Sequence, residues 1–157
     1  MNKQTLKKYY KNAPLRTINS YVKIDDKIYI TNGISIMNLK ELSQNWNWIN
    51  MESLNYSIKN YIDSFKAGTF RALDLDNYNE TCNLISFTKD SKYIKEHEEY
   101  DIGDGYSVNL SKLRTCCELI HATSASIVDL KDAGHPIIFM KNQKTGAYGW
   151  LLPCKIY

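Results

Sequence analysis

Tyr148, Trp150, Leu152, Cys154 and Ile156 recur at spacing two, the period of a β-strand with one buried face. A run of this kind commits the chain to a sheet, and the residues before it indicate what kind. Tyr106 to Leu110 reads as a short strand and Ser111 to Ala122 as a helix. Ser124 to Leu130, Pro136 to Lys141 and Ala147 to Ile156 then read as three successive strands. Between the last two, Asn142-Gln-Lys-Thr-Gly146 has the composition of a tight hairpin loop, with Gly146 free to take a positive φ.

The same order of elements is expected at the start of the chain. Thr5 to Asn12 reads as a helix closed by Pro14. Strand-like runs follow at Tyr21 to Ile24, Lys27 to Thr31 and Ile34 to Leu39, punctuated by Asp25-Asp26 and by Asn32-Gly33. Asn-Gly between alternating apolar runs is a strong hairpin signal. The expected fold class is therefore α+β: one domain, residues 1–157, with a pattern of helix plus three-strand meander at 3–39 and again at 106–157. Residue identity between the two copies is low.

The middle, about 41–99, departs from that pattern. Trp46, Trp48 and Ile49 fit either a short strand or the lead-in to a helix. Met51 to Lys66 reads as a helix, with Met51, Leu54, Ile58, Tyr61, Ile62 and Phe65 on one face and Gly68 placed to end it. Thr69 to Leu75 and Asn83 to Thr88 look like strands around a polar loop. Asp74, Asp76, Asn77, Asn79 and Glu80 lack the ligand spacing of a calcium loop, so a solvated turn is the expectation there. Lys89 to Glu99 reads as a charged connection, and Asp101-Ile-Gly-Asp-Gly105 as a turn.

At 157 residues and 43% hydrophobic, with twelve tyrosines, the chain is long enough and apolar enough for a real core. No apolar run reaches membrane-spanning length, and Lys7-Lys8-Tyr9-Tyr10 stands where a signal peptide has its apolar core, so the expected location is the cytoplasm. Cys82, Cys116, Cys117 and Cys154 lack zinc-site spacing and are expected to be small, half-buried core residues; His97, His121 and His135 are scattered. No phosphate-binding glycine loop, nucleophile elbow or zinc-protease motif occurs. Neither an enzyme nor a bound cofactor or metal is expected.

Charge is patterned at the first helix. At about 100° per residue, Lys3, Lys7 and Lys11 fall within roughly 80° of one another with Lys8 beside them, while Leu6, Tyr9, Tyr10 and Ala13 take the opposite side. Such a face suits a nucleic-acid backbone, and equally the solvated face of an ordinary amphipathic helix. The second helix buries Leu110, Leu113, Cys116, Cys117 and Ile120 and displays Lys112 and Arg114, next to Glu118. A net charge of +3 permits binding to nucleic acid without demanding it.

These residues carry a resemblance. Gly146 to Tyr157 resembles the closing strand of bacterial sliding clamps, the beta subunit of the replicative polymerase, which ends in apolar residues, a proline and a basic residue. His135-Pro-Ile-Ile-Phe139 resembles the strand before it, and Lys27 to Ile36 the clamp pattern of a strand, a Thr-Asp-Gly-like turn and a returning strand. Each clamp domain contains two copies of strand, helix and three strands. The resemblance covers about residues 3–39 and 104–157.

What it implies is a non-enzymatic, phage-encoded clamp-like protein of DNA replication or repair. Lys3, Lys7, Lys8 and Lys11, with Arg16, Lys112 and Arg114, would meet the phosphates of duplex DNA. The partner-peptide pocket of the family maps onto Leu152, Pro153 and Cys154, where Cys154 and Lys155 depart from the usual residues. A clamp ring comprises six such domains, so a homo-oligomer of about six copies joined at sheet edges would be needed to close one. The alternative is an interaction protein that binds a host or replication protein without DNA affinity, with Trp46 and Trp48 as anchors.

Overall fold

The computed structural model describes residues 2–66, 83–84, 99–103, 105–130 and 134–155. The proposed strand at Thr69 to Leu75, the acidic loop at 74–80, most of Lys89 to Glu99, Gly68, Cys82 and His97 lie outside the described residues.

The chain opens with helix α1 (Lys3–Tyr9), capped by Asn2, whose Oδ1 accepts from the Gln4 amide at 2.8 Å. Its burial face is Thr5, Leu6 and Tyr9. The helix ends earlier than the sequence suggests: Asn12 sits at φ 63°, and Pro14 leads into a 3-10 turn, Leu15–Thr17. Strands β1 (Ser20–Ile24), β2 (Lys27–Thr31) and β3 (Ser35–Leu39) form the expected meander. Asp25 and Asp26 both take positive φ between Ile24 and Lys27, the two-residue hairpin geometry. The Asn32-Gly33 turn is wider, because Thr31 pairs with Ile36. Asn32 Oδ1 organises it, accepting from the amides of Ile34 and Ser35.

Strand β4 (Ile49–Asn50) pairs in parallel with β1, and a 3-10 turn at Glu52–Leu54 feeds helix α2 (Asn55–Lys66). Strand β5 (Asn83–Leu84) follows, then β6 (Glu99–Gly103) and β7 (Tyr106–Asn109). β6 occupies residues that the sequence suggests are a turn. It pairs with β7 across an irregularity between Asp101 and Gly103, and Gly103 and Gly105 absorb the reversal at positive φ.

Helix α3 (Leu110–Ile120) starts on Asn109, whose Oδ1 accepts from the Lys112 amide at 2.9 Å, and stops at His121 in the left-handed conformation. It leads into β8 (Ser124–Leu130), β9 (His135–Lys141) and β10 (Tyr148–Leu151). β11 (Cys154–Lys155) closes the described chain. The long final strand suggested by the sequence is thus two strands in two sheets. Leu152 and Pro153 separate them; proline offers no amide to a ladder, and β11 pairs instead with β7.

The main sheet runs β4-β1-β2-β3-β10-β9-β8-β5, and β11-β7-β6 form a second. The two meanders meet where β3 and β10 pair antiparallel, Met37 opposite Gly149 and Ile36 opposite Trp150. The fold is α+β, with a large, mainly antiparallel sheet. Strand alternation divides the core. On one face Ile30, Met37, Leu39, Ile138, Met140 and Leu151 pack under α1 and α3. On the other, Tyr29, Ile36, Phe139, Tyr148 and Trp150 pack under Leu54, Ile58, Ile62 and Phe65 of the α2 segment. Tyr61, expected on the buried face of α2, is 54% exposed, although its ring stacks on Phe65.

Candidate nucleic-acid interface

Helices α1 and α3, separated by about a hundred residues of chain, lie against each other on the aliphatic face of the sheet. Leu6 and Tyr9 face inward from α1; Leu113, Cys116, Leu119 and Ile120 do so from α3. Tyr9 also fastens α1 to the β2–β3 turn. Ser35 Oγ lies 2.9 Å from its hydroxyl, and Asn32 Nδ2 donates to its carbonyl at 2.9 Å. Burial pushes the Tyr9 phenol well above its ordinary value and the Cys116 thiol up to about 12, so both stay neutral. The seam between the helices therefore carries no buried charge from these groups, and its cations are at its surface.

Lys3, Lys7, Lys8 and Lys11 are all exposed, as the helical periodicity predicts, and so is Lys112. Lys8, Lys11 and Lys112 come together around one cleft of about 430 Å³ between the end of α1, the start of α3 and the β2–β3 turn. Among the described residues no carboxylate lines it. Arg114 is half-buried and gives its Nε to Glu118 Oε1 at 3.0 Å, an i,i+4 pair one helical turn apart. Arg16 is exposed but belongs elsewhere: it lines a second cleft, beside α2.

That second cleft, of about 130 Å³, is enclosed by Leu54, Ile58, Tyr61, Phe65, Trp150 and Leu152, with Arg16 also in its wall. Trp150 is 1% exposed, and its indole Nε1–H has no hydrogen-bond partner among the described residues. A buried unpaired donor costs about 1–3 kcal/mol, so an acceptor supplied from outside would have something to gain there. Leu15 and Tyr56 are exposed nearby in sequence to this wall. The sequence signal for this site was the terminal apolar run; the unpaired indole itself has no signature in sequence, because it depends on what surrounds it.

Of the other expected partner residues, Leu152 packs against the aromatic core cluster and Pro153 is half-buried beside it. Trp46 and Trp48 are half-buried rather than exposed anchors. Trp46 Nε1 donates to Asn19 Oδ1 at 2.7 Å, Trp48 Nε1 donates to the Ser43 carbonyl at 3.0 Å, and both rings pack against the aliphatic core. Cys116 is buried and Cys117 half-buried, as expected, whereas Cys154 is exposed on the two-residue β11. Among the described residues no His, Cys, Asp and Glu cluster could hold a metal, and no helix is long and apolar enough to cross a membrane.

Fold and site together define an α+β protein that displays a basic two-helix surface on one side of its sheet and an aromatic cleft on the other. Compared with family models, curated proteins and solved structures, the chain matches none.

Proposed function

We propose that the chain is a non-enzymatic, clamp-like DNA-binding protein of replication or repair, acting in the cytoplasm and holding the duplex backbone through α1 and α3. The observation that carries this is the convergence of the exposed Lys8 and Lys112, from helices far apart in the chain, on one cleft, with Lys3 and Lys7 exposed on the same helix as Lys8. Lysines on paired helices can follow a phosphate backbone without reading bases. Support for the clamp-like reading of the fold comes from the order helix, then three-strand meander, at both ends of the chain, with β3 and β10 joining the meanders antiparallel. A homo-oligomer would provide the encirclement that one copy lacks.

The test is binding of a fluorescent duplex at about 50 and about 200 mM salt, with the variant carrying Lys3→Gln, Lys7→Gln, Lys8→Gln and Lys112→Gln. Affinity that falls steeply with salt, and a slope that drops by up to about four in the variant, supports the proposal. A duplex that is not retained even at about 50 mM salt refutes it.

The aromatic cleft favours a second reading, an interaction protein that docks a segment of a host or replication protein. An apolar side chain would enter between Tyr61 and Leu152, and a carbonyl would accept from Trp150 Nε1. A stoichiometric complex lost on Leu152→Glu, from a protein that ignores DNA, would select this reading over the first.

A further inference from the structure

Resting on the interaction-protein reading above, we infer that the partner segment docked in the aromatic cleft carries a carboxylate directly beside its apolar anchor, with Arg16 as the residue that reads the acid. The cleft holds about 130 Å³. A cavity of about 150 Å³ lodges one benzene ring, so a single phenylalanine-sized side chain fills it and the next residue of the segment already meets the wall.

What the wall offers that next residue depends on which of its polar groups are in use. Thr17 Oγ1 donates to the Pro14 carbonyl at 2.7 Å, Thr31 Oγ1 donates to the Ser35 carbonyl at 2.7 Å, and the Leu152 amide donates to the Ile34 carbonyl at 2.9 Å. The Trp150 indole N–H and the exposed Arg16 guanidinium are donors of the lining that have no acceptor among the described residues. The exposed Ser57 hydroxyl can serve either way. Among the described residues no carboxylate lines this cleft. An occupant that brings a backbone carbonyl and a carboxylate supplies an acceptor to each open donor, and the guanidinium fork matches a carboxylate in particular.

A small free acid would fill the cleft and leave its surroundings bare. Leu15, between the lining residues Pro14 and Arg16, is 89% exposed, and Tyr56, next to Ser57, is 78% exposed. Apolar side chains displayed on both walls suit a peptide segment that continues past its anchor. The cleft lies on the other side of the sheet from Lys8 and Lys112, so it takes no cation from the basic surface.

The probes are short, capped, fluorophore-labelled peptides of glycine and serine, each with one phenylalanine flanked by two aspartates, two asparagines or two lysines, titrated with the full chain by fluorescence anisotropy. The aspartate peptide should bind about fivefold tighter than the asparagine peptide, by a margin that shrinks as salt is added. Arg16→Gln, at an exposed position, should abolish that margin and leave binding of the asparagine peptide in place, and Arg16→Glu should turn the preference toward the lysine peptide. In NMR spectra of the three tryptophan indole N–H groups, only the Trp150 signal should move, because Trp46 and Trp48 already have acceptors. Equal affinity for the aspartate and asparagine peptides, or a margin that survives Arg16→Gln, overturns the reading of an acid while leaving docking in the cleft intact. Binding of none of the peptides, or binding that persists unchanged in Leu152→Glu with the Trp150 signal unmoved, overturns docking there as well.

Discussion

Adding one methyl group at Gly149 should break the joint between the two meanders. Gly149 sits in β10 directly opposite Met37 of β3. A Cβ built there would lie 2.6 Å from Met37 Cε and 2.8 Å from the Ile36 carbonyl oxygen, both well inside van der Waals contact. Met37 is fully buried, so its side chain has nowhere to swing, and the carbonyl cannot move without disturbing the ladder. Overpacking of this kind costs about 1–3 kcal/mol, and the backbone clash places Gly149→Ala at the upper end, about 3 kcal/mol. With a urea m-value of about 2 kcal/mol/M, the unfolding midpoint should fall by about 1.5 M at unchanged m. Met37→Ala alone empties a buried site and costs about 2–5 kcal/mol. Combined with Gly149→Ala it removes the worse part of the clash, so the double variant should be about 1–2 kcal/mol more stable than the sum of its parts, with the Ile36 carbonyl preventing full relief. Circular dichroism at increasing urea reads all four proteins. A Gly149→Ala midpoint within about 0.25 M of the parent, or strict additivity in the double variant, would mean that β3 and β10 are not paired as described.

Three further outcomes follow from the same geometry. Removing the cap of α3 with Asn109→Ala should lower stability by about 1 kcal/mol, seen as a lower melting temperature, since the Lys112 amide loses its acceptor. Asp26→Gly, at φ 63° in a two-residue hairpin, should leave stability equal or raise it by up to about 1 kcal/mol; a loss of that size would contradict the turn geometry. Stability should also decline as pH rises from about 9 toward 12. The Cys116 thiol ionises near 9 in the unfolded chain but is held protonated up to about 12 by burial, so the native state binds the extra proton and alkali favours unfolding. Urea midpoints that stay level across this window, or a slope unchanged by Cys116→Ala, would contradict the burial of that thiol.

The sequence makes local features legible wherever short-range chemistry decides them. The α+β class, the Asp25-Asp26 hairpin and the positive φ of Gly146 follow from period, turn residues and backbone permissiveness. The inward side of α1 and the outward lysines follow from 100° per residue. What sequence obscured was decided by distant partners. β6 looks like a turn because its composition is acidic and glycine-containing; pairing with β7 makes it a strand. The run from Ala147 to Ile156 alternates without interruption, yet Pro153 and the availability of β7 send its end into another sheet. Trp46 and Trp48 appear exposed from their polar neighbours, but Asn19 and the Ser43 carbonyl give their indoles partners at the edge of the core. The lysine-lined cleft needed the packing of α1 on α3, which no local window contains.

Why the two sides of the sheet differ, one basic and one aromatic, comes from how residue size is distributed by alternation. On the aliphatic face, Ala125, Ala147 and Gly149 are small enough to let α1 and α3 settle close to the strands, which brings their lysines together above the seam. On the other face Tyr29, Phe139, Tyr148 and Trp150 form a bulky ledge. Eight strands, with seven gaps of about 4.8 Å between them, make a sheet about 34 Å wide, whereas twelve residues of helix span about 18 Å, so α2 by itself covers only part of that ledge. The cleft lined by Trp150, whose indole has no partner among the described residues, lies against α2 residues Ile58, Tyr61 and Phe65. Both sites therefore depend on the register of β10. A slip of one residue would carry Tyr148 and Trp150 beneath α1 and α3 and turn Gly149 toward α2, lifting the helices off the sheet and emptying the aromatic ledge, so that the basic surface and the aromatic cleft would be lost together.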